Sequence, residues 1–258
     1  MQVRCWCVRL CAARGITRRM HSSAMNGRPT RIHSAAMVRP APRVAVLLSG
    51  CGVHDGSEIQ ETVLALLALD RAGARVIAIA PDIAQTHVVD HQRGEIASHE
   101  TRNARIESAR IVRGPVADLA KITVSDFDAL LVPGGFGATK TLSDYAFRAR
   151  AMQVNPDVAR IIRETHAARK PLAFLCTAPI LAARVLGAKH PTLTIGRDTA
   201  IADDLVAWGA IHEATDARGI VVDREQRIVS TPAYMVGEHI VDVAHGIDHA
   251  VRAMLELR

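Results

Sequence analysis

After Pro40 and Pro42, residues 43–48 (RVAVLL) form an unbroken apolar run that ends in the turn-forming cluster Ser49-Gly50-Cys51-Gly52. A run of this length, bounded by turn residues, reads as a strand buried on both faces. The period then changes. Ile59, Val63, Leu66, Leu67 and Leu69 recur at helical spacing over residues 58–72, and Gly73 supplies the stop. Residues 74–80 (ARVIAIA) predict a second apolar strand, halted by Pro81. Such a strand–helix–strand unit is parallel and right-handed by default.

The alternation continues along the chain. Residues 88–90 and 95–97 around Gly94 predict a small hairpin. Residues 127–132 (FDALLV) predict a third strand, ending at Pro133-Gly134-Gly135-Phe136-Gly137. A helix is expected over 156–168, opened by Pro156 in a favoured first-turn position. Residues 172–175 predict a fourth strand and 179–186 a helix closed by Gly187. Residues 193–195, 220–222 and 227–230 are further strand candidates, and 236–256 predicts a long amphipathic helix. The expected fold is α/β, with a mostly parallel sheet covered by helices on both faces.

Composition narrows the function classes. Of 258 residues, 49% are hydrophobic, which is enough to bury a core and excludes global disorder. No run of about 18 apolar residues predicts a membrane-spanning helix. Five Cys without zinc-ligand pairing suggest neither a disulfide framework nor a zinc ribbon.

The charge is uneven. Residues 1–43 hold nine Arg and no Asp, Glu or Lys, so the formal +6 of the chain leaves a body near −3. Nucleic-acid binding is therefore not expected. Residues 1–42 read as a disordered basic tail, with 43–258 as the folded domain. The tail has the composition of a mitochondrial transit peptide. Alternatively, the chain starts later, at Met20, Met25 or Met37. Cys5, Cys7 and Cys11 in the tail offer only a remote metal-binding reading.

Open parallel sheets bind ligands outside the carboxyl ends of their strands. Three segments fall there: residues 49–58 with Glu61 beyond them, residues 133–137, and residues 175–179. In the last, Cys176 stands between a strand and a helix, the elbow position used by nucleophiles of α/β enzymes. Amides at a helix start favour a thiolate and can hold an oxyanion. The plain alternative is a buried, inert thiol. Gly134 and Gly135 allow close backbone approach to a ligand, or simply make a tight turn. Dinucleotide and phosphate-loop fingerprints are absent. Glu58 and Glu61 share one helix face, either as proton-handling groups or as acids complementing the helix dipole. Cys51 is a second thiol near the crevice, or a small packing residue.

The blocks SGCGVHDGSEIQE, APDIAQTHVVDH, ETRNARIESARI, VPGGFGATKTLS, KPLAFLCTAPILA and VSTPAYM resemble the ElbB-type glyoxalases. These are bacterial relatives of the mitochondrial ES-one, amidotransferase-like proteins, within the class I glutamine amidotransferase-like and PfpI superfamily. The resemblance spans nearly all of 43–258. It implies a flavodoxin-like sandwich, a homodimer and a nucleophile matching Cys176. It also implies an acid matching Glu61, with Glu58 as the next candidate.

The implied reaction is slow, cofactor-independent and metal-free conversion of a small dicarbonyl, glyoxal, to glycolate. It proceeds through a Cys176 hemithioacetal, with amides around Gly135 and Thr177 holding the alkoxide. Deglycation of early adducts would use the same site. The late His of glutamine amidotransferases is missing: the corresponding stretch is Thr231-Pro232-Ala233, and Glu238-His239 has the wrong order. His190 precedes the strand where a second superfamily His would follow. Glutamine hydrolysis and a Cys–His protease are thus disfavoured. A non-catalytic, redox-sensing role for Cys176 is the competing reading, and the family's association with isoprenoid synthesis would fit it. The lack of a eukaryote-type insertion between Gly187 and Leu193 favours a bacterial, cytoplasmic protein. The mitochondrial alternative applies if the tail is a transit peptide.

Overall fold

The computed structural model describes residues 40–258; the expectations for the tail and its three cysteines lie outside these residues. The strands are β1 (Arg43–Leu47), β2 (Arg75–Ala80), β3 (Val89–Asp90), β4 (Glu95–Ile96), β5 (Ala117–Asp118), β6 (Ala129–Val132), β7 (Leu172–Leu175), β8 (Thr192–Leu193), β9 (Ile211–His212), β10 (Val221–Asp223) and β11 (Ile228–Thr231). The helices are α1 (Ile59–Arg71), α2 (Ala104–Val112), α3 (Phe136–Lys140), α4 (Tyr145–Arg148), α5 (Pro156–Ala167), α6 (Pro179–Leu186), α7 (Thr199–Ala207) and α8 (Ile240–Glu256).

Seven strands form one sheet in the order β10-β11-β7-β6-β1-β2-β5. Only the β10–β11 pair is antiparallel. The expected flavodoxin-like α/β architecture is thus the observed one. β6, β7 and β11 are buried at every position, as a sheet covered on both faces requires. Alternation along the strands feeds two cores. Leu47, Leu130, Phe174 and Ile228 meet α5, α6 and α7 on one face. Val46, Leu131, Leu175 and Val229 meet α1 and α8 on the other. There Ala65, Ala68 and Leu69 of α1 join Val243, Ile247, Ala250 and Met254 of α8 in one cluster.

Local chemistry sets the helix starts. Asn155 caps α5 by accepting the amides of Asp157 and Val158, with Pro156 in the first turn, and a cap of this kind contributes about 1 kcal/mol. Four features depart from the sequence expectation. α2, α4, α7 and the two-residue strands β5 and β9 are not predicted by the sequence pattern. α3 begins inside the glycine-rich segment that reads as a turn, because Gly135 serves as its N-cap. β8 ends at Leu193, short of the predicted Ile195. α8 starts four residues late, since 236–239 form a loop ending at the His239 cap. Among the described residues, no helix is long and apolar enough to cross a membrane.

Candidate active site at three strand ends

The central strands β7, β6 and β1 end side by side, and the loops that follow interlock. The Glu58 amide donates to Gly134 O (3.0 Å), Phe136 N–H to Val53 O (2.7 Å) and Gly137 N–H to Gly56 O (2.9 Å). Cys176 N–H donates to Thr231 O (2.9 Å), continuing the β7–β11 ladder one residue past the end of β7. At that point the chain turns sharply: Cys176 has φ 55°. A non-glycine residue held there stores about 1–3 kcal/mol of strain. The conformation lets α6 begin within three residues of the strand, and it aims the side chain into the crevice.

Glu61 is fully buried in the first turn of α1, and it and the Cys176 thiol lie together against Gly134. Its Oε2 accepts the Gly134 amide (3.0 Å), and Oε1 accepts a longer bond from the Tyr234 amide (3.4 Å). Burial pushes the Glu61 carboxyl up to about 7, the thiol and the two amides opposing that shift and Glu58 adding to it. Burial, followed by the Glu61 charge, raises the Cys176 thiol well above its ordinary value, although the neighbouring amides of Gly135 and Thr177 pull the other way. This corrects the expectation of a resting thiolate. The two amides at the elbow are outweighed because the sulfur sits in a dry pocket against a carboxyl group. The pair is poised as a thiol beside a carboxyl that titrates near neutrality.

Glu58 does not join this pair. It caps α1, its Oε2 accepting the Glu61 amide at 2.6 Å. Burial raises it as well, with backbone hydrogen bonds opposing. Gly134 lies against both reacting groups: a methyl group there would collide with Cys176 Cβ and stand 2.8 Å from Glu61 Oε2 and 2.9 Å from the sulfur. Gly135 has φ +94° and backbone of the 56–58 loop against its Cα. Thr177 holds this loop through Oγ1, which donates to Gly135 O (3.2 Å). Gly134→Ala is therefore expected to separate Cys176 from Glu61. Thiol titration in the folded protein would show it as a sulfur whose ionisation no longer depends on the carboxyl.

Cys51 is half-buried in the 51–57 loop, its thiol raised by desolvation. His190 lies outside the pair: its Nδ1 meets Gly209 O (2.8 Å) on the surface. At residue 195, where the superfamily places a His, the nearby imidazole is His212. Its Nε2 accepts the Ile195 amide (3.3 Å), and burial lowers its pKa. Tyr234 was missed from the sequence. It lies within the quoted VSTPAYM block, yet its contribution is a backbone amide on Glu61, which no side-chain pattern announces. Its phenol also hydrogen-bonds Gln60. Among the described residues, no group of three His, Cys, Asp or Glu is arranged to hold a metal ion.

The fold and crevice define a doubly wound α/β protein with a cysteine at a strand–helix elbow. The chain belongs to the DJ-1/PfpI family, whose model matches residues 43–233, and within it to the ES1-type, class I glutamine amidotransferase-like proteins. It is 41% identical to the ES1 protein homolog, mitochondrial, of Rattus norvegicus, over 88% of this chain and 87% of the relative. It is 42% identical to the human glutamine amidotransferase-like class 1 domain-containing protein 3, mitochondrial, over 85% and 84%. Among solved structures, an isoprenoid biosynthesis protein with amidotransferase-like domain from Ehrlichia chaffeensis superposes with a TM-score of 0.78 at 36% identity, covering 84% of this chain and 99% of that one.

The relatives' names overturn the bacterial, cytoplasmic assignment. Three of them, from rat, human and Danio rerio, are named as mitochondrial proteins. The missing insertion was a comparison of one loop. It is outweighed by similarity over more than four-fifths of the chain.

Proposed function

We propose that the chain is a glutathione-independent glyoxalase that converts glyoxal and water to glycolate. The observation that carries this reading is Cys176 at the strained elbow with the buried Glu61 carboxyl beside it, both against Gly134. As the sulfur adds to one aldehyde carbon of glyoxal, the thiol proton passes to the Glu61 carboxylate. The carbonyl oxygen gains charge and meets the amides of Gly135 and Thr177. Protonation of that oxygen gives a hemithioacetal. Glu61 then moves the proton from the hemithioacetal carbon through an enediol to the neighbouring carbon. The product is a glycolyl thioester, and water releases glycolate and regenerates the thiol. The sequence is redox-neutral within the substrate, and no cofactor enters it.

Early glycation adducts bear the same carbonyl chemistry, and deglycation would use the same groups. A homodimer belongs to this reading as an expectation for the intact protein. The redox-sensing alternative is less well supported. A thiol that keeps its proton and is 6% exposed is a slow target for peroxide. The reading is tested by following glycolate formation from glyoxal by the purified chain. Saturable turnover supports it; a rate strictly proportional to glyoxal, equal to that of free thiols, overturns it.

A further inference from the structure

Two left-handed residues stand at the ends of neighbouring strands. β7 and β11 run parallel and side by side. One residue past β7, Cys176 has φ 55°; two residues past β11, Ala233 has φ 43°. The first turn carries the sulfur into the crevice. The second has no part in the chemistry above, yet Ala233 is fully buried, and an alanine is kept in this strained region only where its surroundings hold it there.

The turn orients the peptide that joins Ala233 to Tyr234. On one edge its oxygen accepts the Gly237 amide at 2.9 Å and the Val236 amide at 3.3 Å. On the opposite edge its N–H donates to Glu61 Oε1 at 3.4 Å. The Gly134 amide donates to the other carboxyl oxygen, Oε2, at 3.0 Å. The terminal torsion of a glutamate is soft, and a donor on each oxygen fixes it. Gly237 completes the arrangement: a methyl group there would stand 2.9 Å from Ala233 O and 2.6 Å from Val243 Cγ2. Its bare Cα leaves the 233–234 peptide room to lie in this plane.

We propose that Ala233 and Gly237 are positioning residues, which hold the 233–234 peptide so that its N–H fixes the Glu61 carboxyl beside Cys176. Both act through that amide. An N–H on the carboxyl favours its ionised form, the form that takes the thiol proton. The positioning stands on the geometry of the turn; its consequence for turnover rests on the glyoxalase reading. The ionisable groups that bear on Glu61 are Cys176 at the elbow, Glu58 on its own helix and the Tyr234 phenol. α8 meets that helix through apolar side chains.

The test reads Glu61 directly. Protein carrying 13C in its glutamate side-chain carboxyls is titrated by NMR, and the Glu61 signal is the one lost in Glu61→Gln. Its midpoint in the native protein should lie near 7. Gly237 itself lies outside the left-handed region, so Gly237→Ala brings a collision and no backbone penalty. It should push the Ala233 oxygen, tilt the N–H away and raise the midpoint by about half to one pH unit, as the loss of one hydrogen bond to a charged oxygen requires. Ala233→Val should do the same, because a β-branched residue resists this turn. Ala233→Gly, which adopts the turn freely, should keep the native midpoint. An unmoved midpoint in cooperatively melting Gly237→Ala and Ala233→Val overturns the proposal. So does an equal rise in Ala233→Gly, which would trace the effect to the missing methyl group. If the two larger variants do not melt cooperatively, the α-hydroxy analogue of tyrosine at 234 removes the N–H alone. The same rise then supports the proposal, and an unmoved midpoint overturns it.

The pH profile of kcat/KM for glyoxal separates this result from the glyoxalase reading. A midpoint raised by one pH unit should cost about fivefold in rate at pH 7. A Glu61 signal that shifts as expected while the rate profile stays in place, or while glyoxal is not turned over at all, supports the positioning and removes the glyoxalase role of Glu61.

Discussion

Cys176→Ala should abolish saturable glyoxal turnover, lowering kcat by at least about a thousandfold toward the solution rate. The sulfur forms the only covalent bond between protein and substrate in the proposed path, and its fixed place at the elbow supplies most of the proximity advantage. Fold is not expected to suffer. The side chain is small, and its amide bond to Thr231 O is kept. Replacing a β-carbon substituent does not alter the strained φ of 55°. Mass spectrometry of the native protein trapped with glyoxal should find the adduct on Cys176. A variant that retains turnover, or an adduct on Cys51 instead, removes Cys176 from its assigned role.

Glu61→Gln should cost about a hundred- to a thousandfold in kcat/KM, the usual range for a positioned proton-transfer group. It should also erase a pH dependence. Because the thiol holds its proton, attack needs the carboxylate form of Glu61, so native activity should rise with pH through a midpoint near 7.

The same group leaves a mark on stability, and the sign is fixed by linkage. The folded value near 7 lies above the ordinary 4.5. The folded chain therefore binds more protons in this interval, and stability is greatest below about 4.5. It falls as pH rises through 7 and levels off beyond. The loss is on the order of 1–3 kcal/mol. Melting temperatures of the native protein should decline across that window. In Glu61→Gln this contribution to the decline should vanish. An amide in place of the carboxyl also sets a donor against the Gly134 or Tyr234 amide, so the variant's absolute stability is the less informative reading. Native melting temperatures that rise from pH 5 to 8 by this group's titration would contradict a carboxyl held up by burial.

The parts of the fold legible in the sequence were those in which one rule dominates. β1, β2 and β6 are apolar runs cut off by Gly or Pro, β7 is one that ends at the Cys176 elbow, and α1, α5 and α6 carry stop or start residues at their ends. The elements that escaped are short. β5 and β9 have two residues each and exist through pairing, not through a pattern of their own. α2 and α7 have capping residues, Asn103 and Asp198, but apolar stripes too brief to declare a face.

The site followed the same division. The elbow at Cys176 and the glycines at 134–135 could be placed because a strand end and a helix start leave little freedom between them. Which of Glu58 and Glu61 meets the sulfur could not be decided, since both lie in one helical turn. One caps the helix and the other points into the crevice, and that depends on where the cap falls. The protonation state was misjudged because the pull of two amides is visible in a motif, whereas burial depends on what the rest of the chain covers.

Among the elements described, α8 is the last to be synthesised, yet it lies against α1, the helix that carries Glu61. Its Val243, Ile247, Ala250 and Met254 share a core with Ala65, Ala68 and Leu69 of α1, so the helix that carries Glu61 gains part of its packing only when the last of the described elements docks.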